Sequence, residues 1–268
     1  MEHLFDAWPL ISQRIESAGH LLLLADYDGT LVPIAERPEN TVLPDRVKKL
    51  LQALANNKGN TLGIISGRPL DQIKAEVGID GIFYAGNHGL EADGPGMRFV
   101  HPDAESVRPL IQDIAEELSQ KLSQIDGVII EDKGLSLGLH YRLVKDAEVD
   151  TVLDIFHRVA VPLCIDGRAK ISFGKKVCEV RPPVDWDKGS IVSYILEKSR
   201  ASLGGDILPV YLGDDSTDED SFMAVAGAAG VSIFVGSDNP LSIADYFLNS
   251  PLEVERLLTM VLGLRPAV

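Results

Sequence analysis

The chain is poor in cysteine, in positive charge and in long apolar runs. Its two cysteines, Cys164 and Cys178, do not make a disulfide framework, and so few thiols fit a reducing, cytoplasmic setting. Lys and Arg number 25 against 40 Asp and Glu, a formal net charge of −15. That balance argues against nucleic acid and anionic membrane surfaces as partners. No apolar run approaches the length of a membrane span. Met1-Glu2-His3-Leu4-Phe5-Asp6 lacks a basic region followed by an apolar one, so no secretory signal is expected. Internal repeats and low-complexity tracts are missing as well. What is present is 268 residues, 45% of them hydrophobic, enough for one large core or a core with a smaller partner.

The order of elements is legible from periodicity. Leu21-Leu22-Leu23-Leu24-Ala25 reads as a buried parallel strand that ends at Asp26-Tyr27-Asp28-Gly29-Thr30. Strands at 61–65 and 82–85 alternate with helices over 44–57 and from Pro69, which predicts a parallel sheet with right-handed crossovers. Near residue 100 the rhythm changes. A helix over about 103–124, short alternating strands and a helix near 146–160 predict an antiparallel α+β layer. After Pro182-Pro183 the first rhythm returns, with a helix from Lys188 and a strand over 208–212. The fold class expected is α/β: a doubly wound, Rossmann-like parallel sheet core (1–102 and 184–268) with an inserted α+β cap (103–183).

Chemistry-bearing residues cluster at strand ends, where open α/β sheets keep their ligands. Asp26 and Asp28 lean toward one mouth, either as a turn pair or as carboxylates awaiting a cation. Ser66-Gly67-Arg68-Pro69 opens a helix, as an ordinary cap or as an anion site. Gly213-Asp214-Asp215-Ser216-Thr217-Asp218-Glu219-Asp220 holds five acids in seven residues, a hard-ligand set suited to Mg²⁺, though some of these acids simply complement a helix dipole. Lys188 at a helix start opposes the dipole, so its charge has a purpose other than local stability.

In that order, these segments resemble the four-part pattern of haloacid dehalogenase superfamily phosphatases, over nearly the whole chain. Further segments are similar to trehalose-6-phosphate phosphatases: Gly86-Asn87-His88-Gly89-Leu90-Glu91, Glu131-Asp132-Lys133-Gly134, Leu139-His140-Tyr141-Arg142 and Gly174-Lys175-Lys176-Val177-Cys178-Glu179-Val180-Arg181-Pro182. The resemblance implies Asp26 as nucleophile and Asp28 as acid and base. It implies Mg²⁺ on Asp26, the Asp28 carbonyl and Asp214, with Asp215 or Asp218 ordering its waters. Ser66 and Lys188 would hold phosphoryl oxygens. Arg68, Asn87, His88, Glu131, Lys133, Arg142, Lys175, Glu179 and Arg181 would meet the substrate.

The reaction implied is hydrolysis of trehalose 6-phosphate to trehalose and phosphate by a monomeric, cytoplasmic enzyme. A phosphatase for sucrose phosphate or a glycosyl-3-phosphoglycerate, a phosphomutase and a catalytically silent sugar-phosphate sensor are the alternatives. In the cap, residues 168–181 carry Arg168, Lys170, Lys175, Lys176 and Arg181 against one acid, Glu179, a local excess suited to an anionic substrate. His3, His20, His101 and His157 have no metal-ligand spacing and read as surface or core residues.

Overall fold

Alternate leucines of the strand that ends at Asp26 serve two separate cores. Leu21 and Leu23 belong to one buried cluster, Leu22 and Leu24 to the other, as the two-residue side-chain period of a strand buried on both faces requires. The computed structural model describes residues 1–35, 41–174, 176–237 and 241–265. These divide into two compact units, Met1–Phe99 with Trp186–Val268, and Val100–Asp185.

The elements are, in chain order, β1 (Glu2–His3), α1 (Trp8–Ser17), β2 (His20–Ala25), α2 (Asp45–Ala55), β3 (Asn60–Ile65), α3 (Leu70–Val77), β4 (Phe83–Gly86), β5 (Glu91–Gly94) and β6 (Met97–Val100). There follow α4 (Pro102–Glu105), α5 (Arg108–Lys121), β7 (Ile129–Asp132), β8 (Leu137–His140), α6 (Asp146–Ile165), β9 (Lys170–Gly174) and β10 (Val177–Arg181). The chain closes with α7 (Lys188–Leu203), β11 (Ile207–Gly213), α8 (Glu219–Gly227), β12 (Val231–Val235), β13 (Tyr246–Leu248) and α9 (Pro251–Leu264).

In the first unit the sheet order among the described residues is β1-β13-β12-β11-β2-β3-β4-β5-β6. Pairing is parallel from β1 to β4, and β5 returns antiparallel. Central β2 lies between β11 and β3, which brings the carboxyl ends carrying Asp26, Ser66 and Asp214 side by side. On one face Leu21 and Leu23 pack with Ile11 and Ile15 of α1, Val47, Leu51 and Leu54 of α2, and Leu257 and Val261 of α9. On the other, Leu22 and Leu24 pack with Ile191, Val192 and Ile195 of α7 and Phe222 and Val225 of α8. The doubly wound core expected from the sequence is thus present. Its antiparallel edge, β5 and β6, falls in a stretch that carries no alternating apolar signal.

The second unit is a four-stranded antiparallel sheet, β7-β8-β10-β9, with α5 and α6 on one face. Leu137, Leu139, Cys178 and Val180 point into a core with Ile111, Ile114 and Leu118 of α5 and Val152 and Phe156 of α6. The helix expected over about 103–124 is two helices, α4 and α5. Pro109 explains the break: it lacks an N–H and fits only the first turn of a helix. Helix α6 runs past the expected residue 160 to Ile165. Among the described residues no helix is long and apolar enough to cross a membrane.

Leu22 is fully buried, whereas Leu10 on α1 is 56% exposed. Leu22→Ala is expected to lower unfolding free energy by about 3 kcal/mol, from lost transfer energy and a residual cavity. Leu10→Ala should change it by less than about 0.5 kcal/mol. Urea denaturation monitored by circular dichroism checks both.

Candidate active site

The site in the first unit begins where β2 runs out of apolar residues. The Asp26 amide donates to the Leu212 carbonyl of β11 at 2.8 Å, so the strand pairing itself fixes this residue. The chain then turns tightly: Gly29 N donates to Val32 O at 2.7 Å, and Leu31 N to Tyr27 O at 3.0 Å. Gly29 has φ of +89°, and a Cβ there would collide with the Asp214 carboxylate. Glycine is therefore needed twice over, for the backbone conformation and for the approach of Asp214.

Three carboxylates, Asp26, Asp214 and Asp218, offer oxygens that lie within 4.8 Å of one another, and all three residues are buried. Lys188 answers them. It is the first residue of α7, and its Nζ donates to Asp26 Oδ1 and to Asp218 Oδ1, both at 2.7 Å. The helix start that carries it is capped by Asp187, whose Oδ1 accepts from Ser190 N at 2.8 Å. Burial works to lower the Lys188 pKa, but the Asp218 and Asp26 charges outweigh it and hold the ammonium protonated. Burial pushes the Asp26 carboxyl well up. Lys188 opposes that shift, and Asp218 and Asp214 add to it. One lysine against three buried carboxylates leaves an uncompensated negative charge, and hard oxygen donors this close together fit a cation such as Mg²⁺.

Asp218 has the most complete set of donors. Its Oδ1 accepts from Lys188 and from the Tyr211 hydroxyl at 2.7 Å, and its Oδ2 from the amides of Asp214 at 3.0 Å and Asp215 at 3.1 Å. Asp215 instead caps the short 3₁₀ turn Ser216–Asp218, and its Oδ1 accepts from the Ser216 hydroxyl at 2.8 Å. Of the two acids left open in the sequence, Asp218 therefore joins the buried cluster and Asp215 holds the turn.

Asp28 and Arg68 lie beside this cluster, with a different pairing from the one expected. Arg68 Nε donates to Asp28 Oδ2 at 2.6 Å, Nη2 to Asp28 Oδ1 at 2.7 Å, and Nη1 to Glu76 Oε1 at 2.7 Å. The guanidinium expected to meet substrate is thus committed to the acid/base candidate. Burial opposes its charge, but Asp28 and Glu76 more than offset that and raise its pKa. Ser66 is buried at the end of β3, where its hydroxyl accepts from Arg68 N at 3.2 Å and keeps its own proton to donate.

Asn87 and His88 occupy a 3₁₀ turn that locks onto the Ser66 loop. Asn87 N donates to Arg68 O at 2.8 Å and His88 N to Ser66 O at 2.9 Å. Both residues have positive φ and are buried. A Cβ on Gly67 would fall 2.7 Å from the His88 ring. Glu91 Oε1 accepts from Asn87 Nδ2 at 2.7 Å and from Leu70 N, at the start of α3, at 2.9 Å.

In the second unit the polar face of the sheet forms its own cluster. Glu131, Gly138, Glu179 and Ser172 align across four strands. Lys133 Nζ donates to Glu179 Oε1 at 2.6 Å and lies 3.9 Å from Glu131 Oε2, and His140 Nε2 is 2.9 Å from Glu131 Oε2. Gly138 leaves room for this: a Cβ there would sit 3.2 Å from His140 Nε2 and 3.5 Å from Lys133 Cε. Burial disfavours the Lys133 charge, but Glu179 and Glu131 prevail and raise its pKa. Arg181 ends β10, and Arg142 lies in the turn after β8. Lys175 lies outside the described residues. Cys178 is buried in the core of this unit, and burial pushes its thiol up to about 11, as suits a packing residue.

Three contributors, Tyr211, Glu91 and Glu76, carry little signal in the sequence. Tyr211 reads only as part of a strand, although its place three residues before Asp214 puts it at the same strand end. Glu91 was visible within Gly86-Asn87-His88-Gly89-Leu90-Glu91, but its side chain acts on the backbone of another loop, which spacing does not reveal.

Comparison with known proteins identifies the family. A family model described as trehalose-phosphatase matches residues 24–251. Trehalose-phosphate phosphatase B of Arabidopsis thaliana is 29% identical over 248 residues, covering 89% of this chain and 65% of the relative. Probable trehalose-phosphate phosphatase 2 of Oryza sativa subsp. japonica is 33% identical over 261 residues, with 89% and 67% covered. The chain thus spans about two thirds of the length of these curated relatives. The solved C-terminal domain of C. albicans trehalose-6-phosphate phosphatase shares the fold, with a TM-score of 0.81, 24% identity, and 96% and 97% of the two chains covered. With a family match that runs from the strand delivering Asp26 to the first residue of α9, the chain belongs to the trehalose-phosphatase family.

Proposed function

We propose that this chain is a Mg²⁺-dependent phosphatase that hydrolyses trehalose 6-phosphate to trehalose and phosphate through an aspartyl-phosphate on Asp26. The observation that carries the reading is the contact of Lys188 Nζ with Asp26 Oδ1 and Asp218 Oδ1 at 2.7 Å. A permanently charged lysine orients one carboxylate oxygen at a strand mouth and leaves the other to react.

In the first half-reaction an Asp26 oxygen forms a bond to phosphorus as the bond from phosphorus to the sugar oxygen breaks. The electron pair stays with the sugar oxygen, which takes a proton from Asp28. In the second, Asp28 accepts a proton from water, the water oxygen bonds to phosphorus, and the bond to Asp26 breaks to free phosphate. Division into two displacements replaces one difficult step by two easier ones. Proton transfer by a positioned carboxyl contributes about 10²–10⁴-fold.

Carboxylates of Asp26 and Asp214 and the Asp28 carbonyl would hold Mg²⁺, with Asp218 orienting them through Lys188 and the Asp214 and Asp215 amides. Bound there, the ion supplies positive charge where phosphoryl charge shifts. Ser66 donates its hydroxyl hydrogen to a phosphoryl oxygen, and Lys188 neutralises charge next to it. Arg68, Asn87 and His88 shape the rim of this mouth. The core thus does the chemistry, and the inserted cap reads the sugar through Glu131, Lys133, Arg142, Lys175, Glu179 and Arg181. A sheet face with acids, lysine and histidine in mutual contact suits a polyhydroxylated ligand, which needs both donors and acceptors.

Phosphate release from a panel of sugar phosphates, with Mg²⁺ and with chelator, tests the reading. Rapid turnover of trehalose 6-phosphate that stops with chelator is expected, and no release from any sugar phosphate would refute it. Asp26→Asn is expected to abolish turnover without lowering the thermal midpoint, and substantial residual activity would remove Asp26 as nucleophile. Glu179→Ala frees Lys133 of its nearest partner. It should lower kcat/KM for trehalose 6-phosphate by about tenfold or more, the scale of a lost charge-assisted hydrogen bond, and leave hydrolysis of 4-nitrophenyl phosphate nearly unchanged.

A further inference from the structure

The side chain of Glu76 meets the site through Arg68. It lies on α3, eight residues after Arg68, and accepts at Oε1 from Arg68 Nη1 at 2.7 Å and from Gln72 Nε2 at 2.9 Å. Arg68 spends its other edge on both oxygens of Asp28. Its guanidinium carbon stands 5.2 Å from the centre of the Tyr27 ring, within the range of a cation–π contact. A guanidinium is planar and rigid. Once Nη1 is pinned and one face rests near Tyr27, the edge toward Asp28 has one orientation left. Side-chain exposure rises along the chain of contacts outward from Arg68, from 5% there to 36% at Asp28. Without the fork, the Asp28 side chain would have several rotamers open to it. Glu76 also bears on the Tyr27 hydroxyl: burial raises the pKa of that phenol, and the Glu76 charge and a hydrogen bond with Glu76 add to the shift.

We propose that Glu76 is a positioning residue for Asp28, acting through Arg68 to hold the carboxyl group in the orientation from which it exchanges a proton with the sugar oxygen. The proposal rests on the reading of Asp28 as the proton-transfer group, so the test must separate the two. Glu76→Leu removes the acceptor, and Glu76→Gln keeps an oxygen for Arg68 Nη1. Each, together with Asp28→Asn and the double variant Asp28→Asn/Glu76→Leu, is assayed in single turnovers with enzyme in excess, by the rate of release of trehalose from trehalose 6-phosphate and of 4-nitrophenolate from 4-nitrophenyl phosphate. Both rates report the first half-reaction alone, before Asp28 acts as a base, and 4-nitrophenolate departs without a proton.

Glu76→Leu is expected to lower the single-turnover rate of trehalose release by about tenfold or more, since misplacing a reacting group by ~1 Å costs up to ~100-fold. The loss in 4-nitrophenolate release should be far smaller, with the half-saturating concentration of both substrates unchanged. Glu76→Gln should restore most of the activity, and Glu76→Leu should cost nothing further in the Asp28→Asn background. Equal losses on the two substrates, or an additive loss in the double variant, while Asp28→Asn alone keeps its selective effect, would overturn the role of Glu76. If Asp28→Asn itself affects both substrates equally, Asp28 is not the leaving-group acid, and the proposal falls with that reading.

Discussion

The contact on which the site depends is the buried lysine between two aspartates. Lys188 stands 2.7 Å from both Asp26 and Asp218, and these residues come from three different elements: the end of β2, the start of α7 and the turn after β11. Removing Lys188 from such a set would leave bare carboxylates in the interior, which costs several kcal/mol. The fold is therefore tied together at the candidate site. Three carboxylates against one lysine leave a surplus of two negative charges, which a divalent ion would match.

Around this centre, each loop is held by another. Tyr211 and two backbone amides fix Asp218, which presents one oxygen to Lys188. The Asn87-His88 turn bonds to the backbone of the Ser66 loop, and Glu91 closes it against the start of α3. Trp186 Nε1 donates to Gly89 O at 2.7 Å, so the residue two before Lys188 is anchored to that same turn. The candidate catalytic side chains thus sit on loops held by backbone and side-chain hydrogen bonds, as pre-organised electrostatics require. The sheet of the second unit repeats the device, with Lys133 between Glu131 and Glu179 over the open floor left by Gly138.

Much of this was legible in the sequence because it depends on local pattern. The leucine run to Asp26, the glycine–aspartate cluster at the end of β11 and Lys188 at a helix start each announce themselves by period and position. The antiparallel edge strands β5 and β6 did not, since four-residue strands with Asp93, Gly94 and Arg98 carry almost no alternation. Nor did the pairing of Arg68 with Asp28: the two are 40 residues apart, and only the adjacency of β2 and β3 brings their loops together. Glu76 and Tyr211 were hidden for a related reason. Each acts on another side chain rather than on a ligand, and such contacts leave no spacing rule in one sequence.

The central claim is that Asp26, oriented by Lys188, becomes covalently bound to the phosphoryl group. Acid quenching during turnover of phosphorus-labelled trehalose 6-phosphate, followed by mapping of the label, tests this most directly. The account predicts label on the peptide containing Asp26, absent in Asp26→Asn and released by hydroxylamine. Full turnover with no protein-bound label under rapid quenching, or label on a different residue, would contradict it.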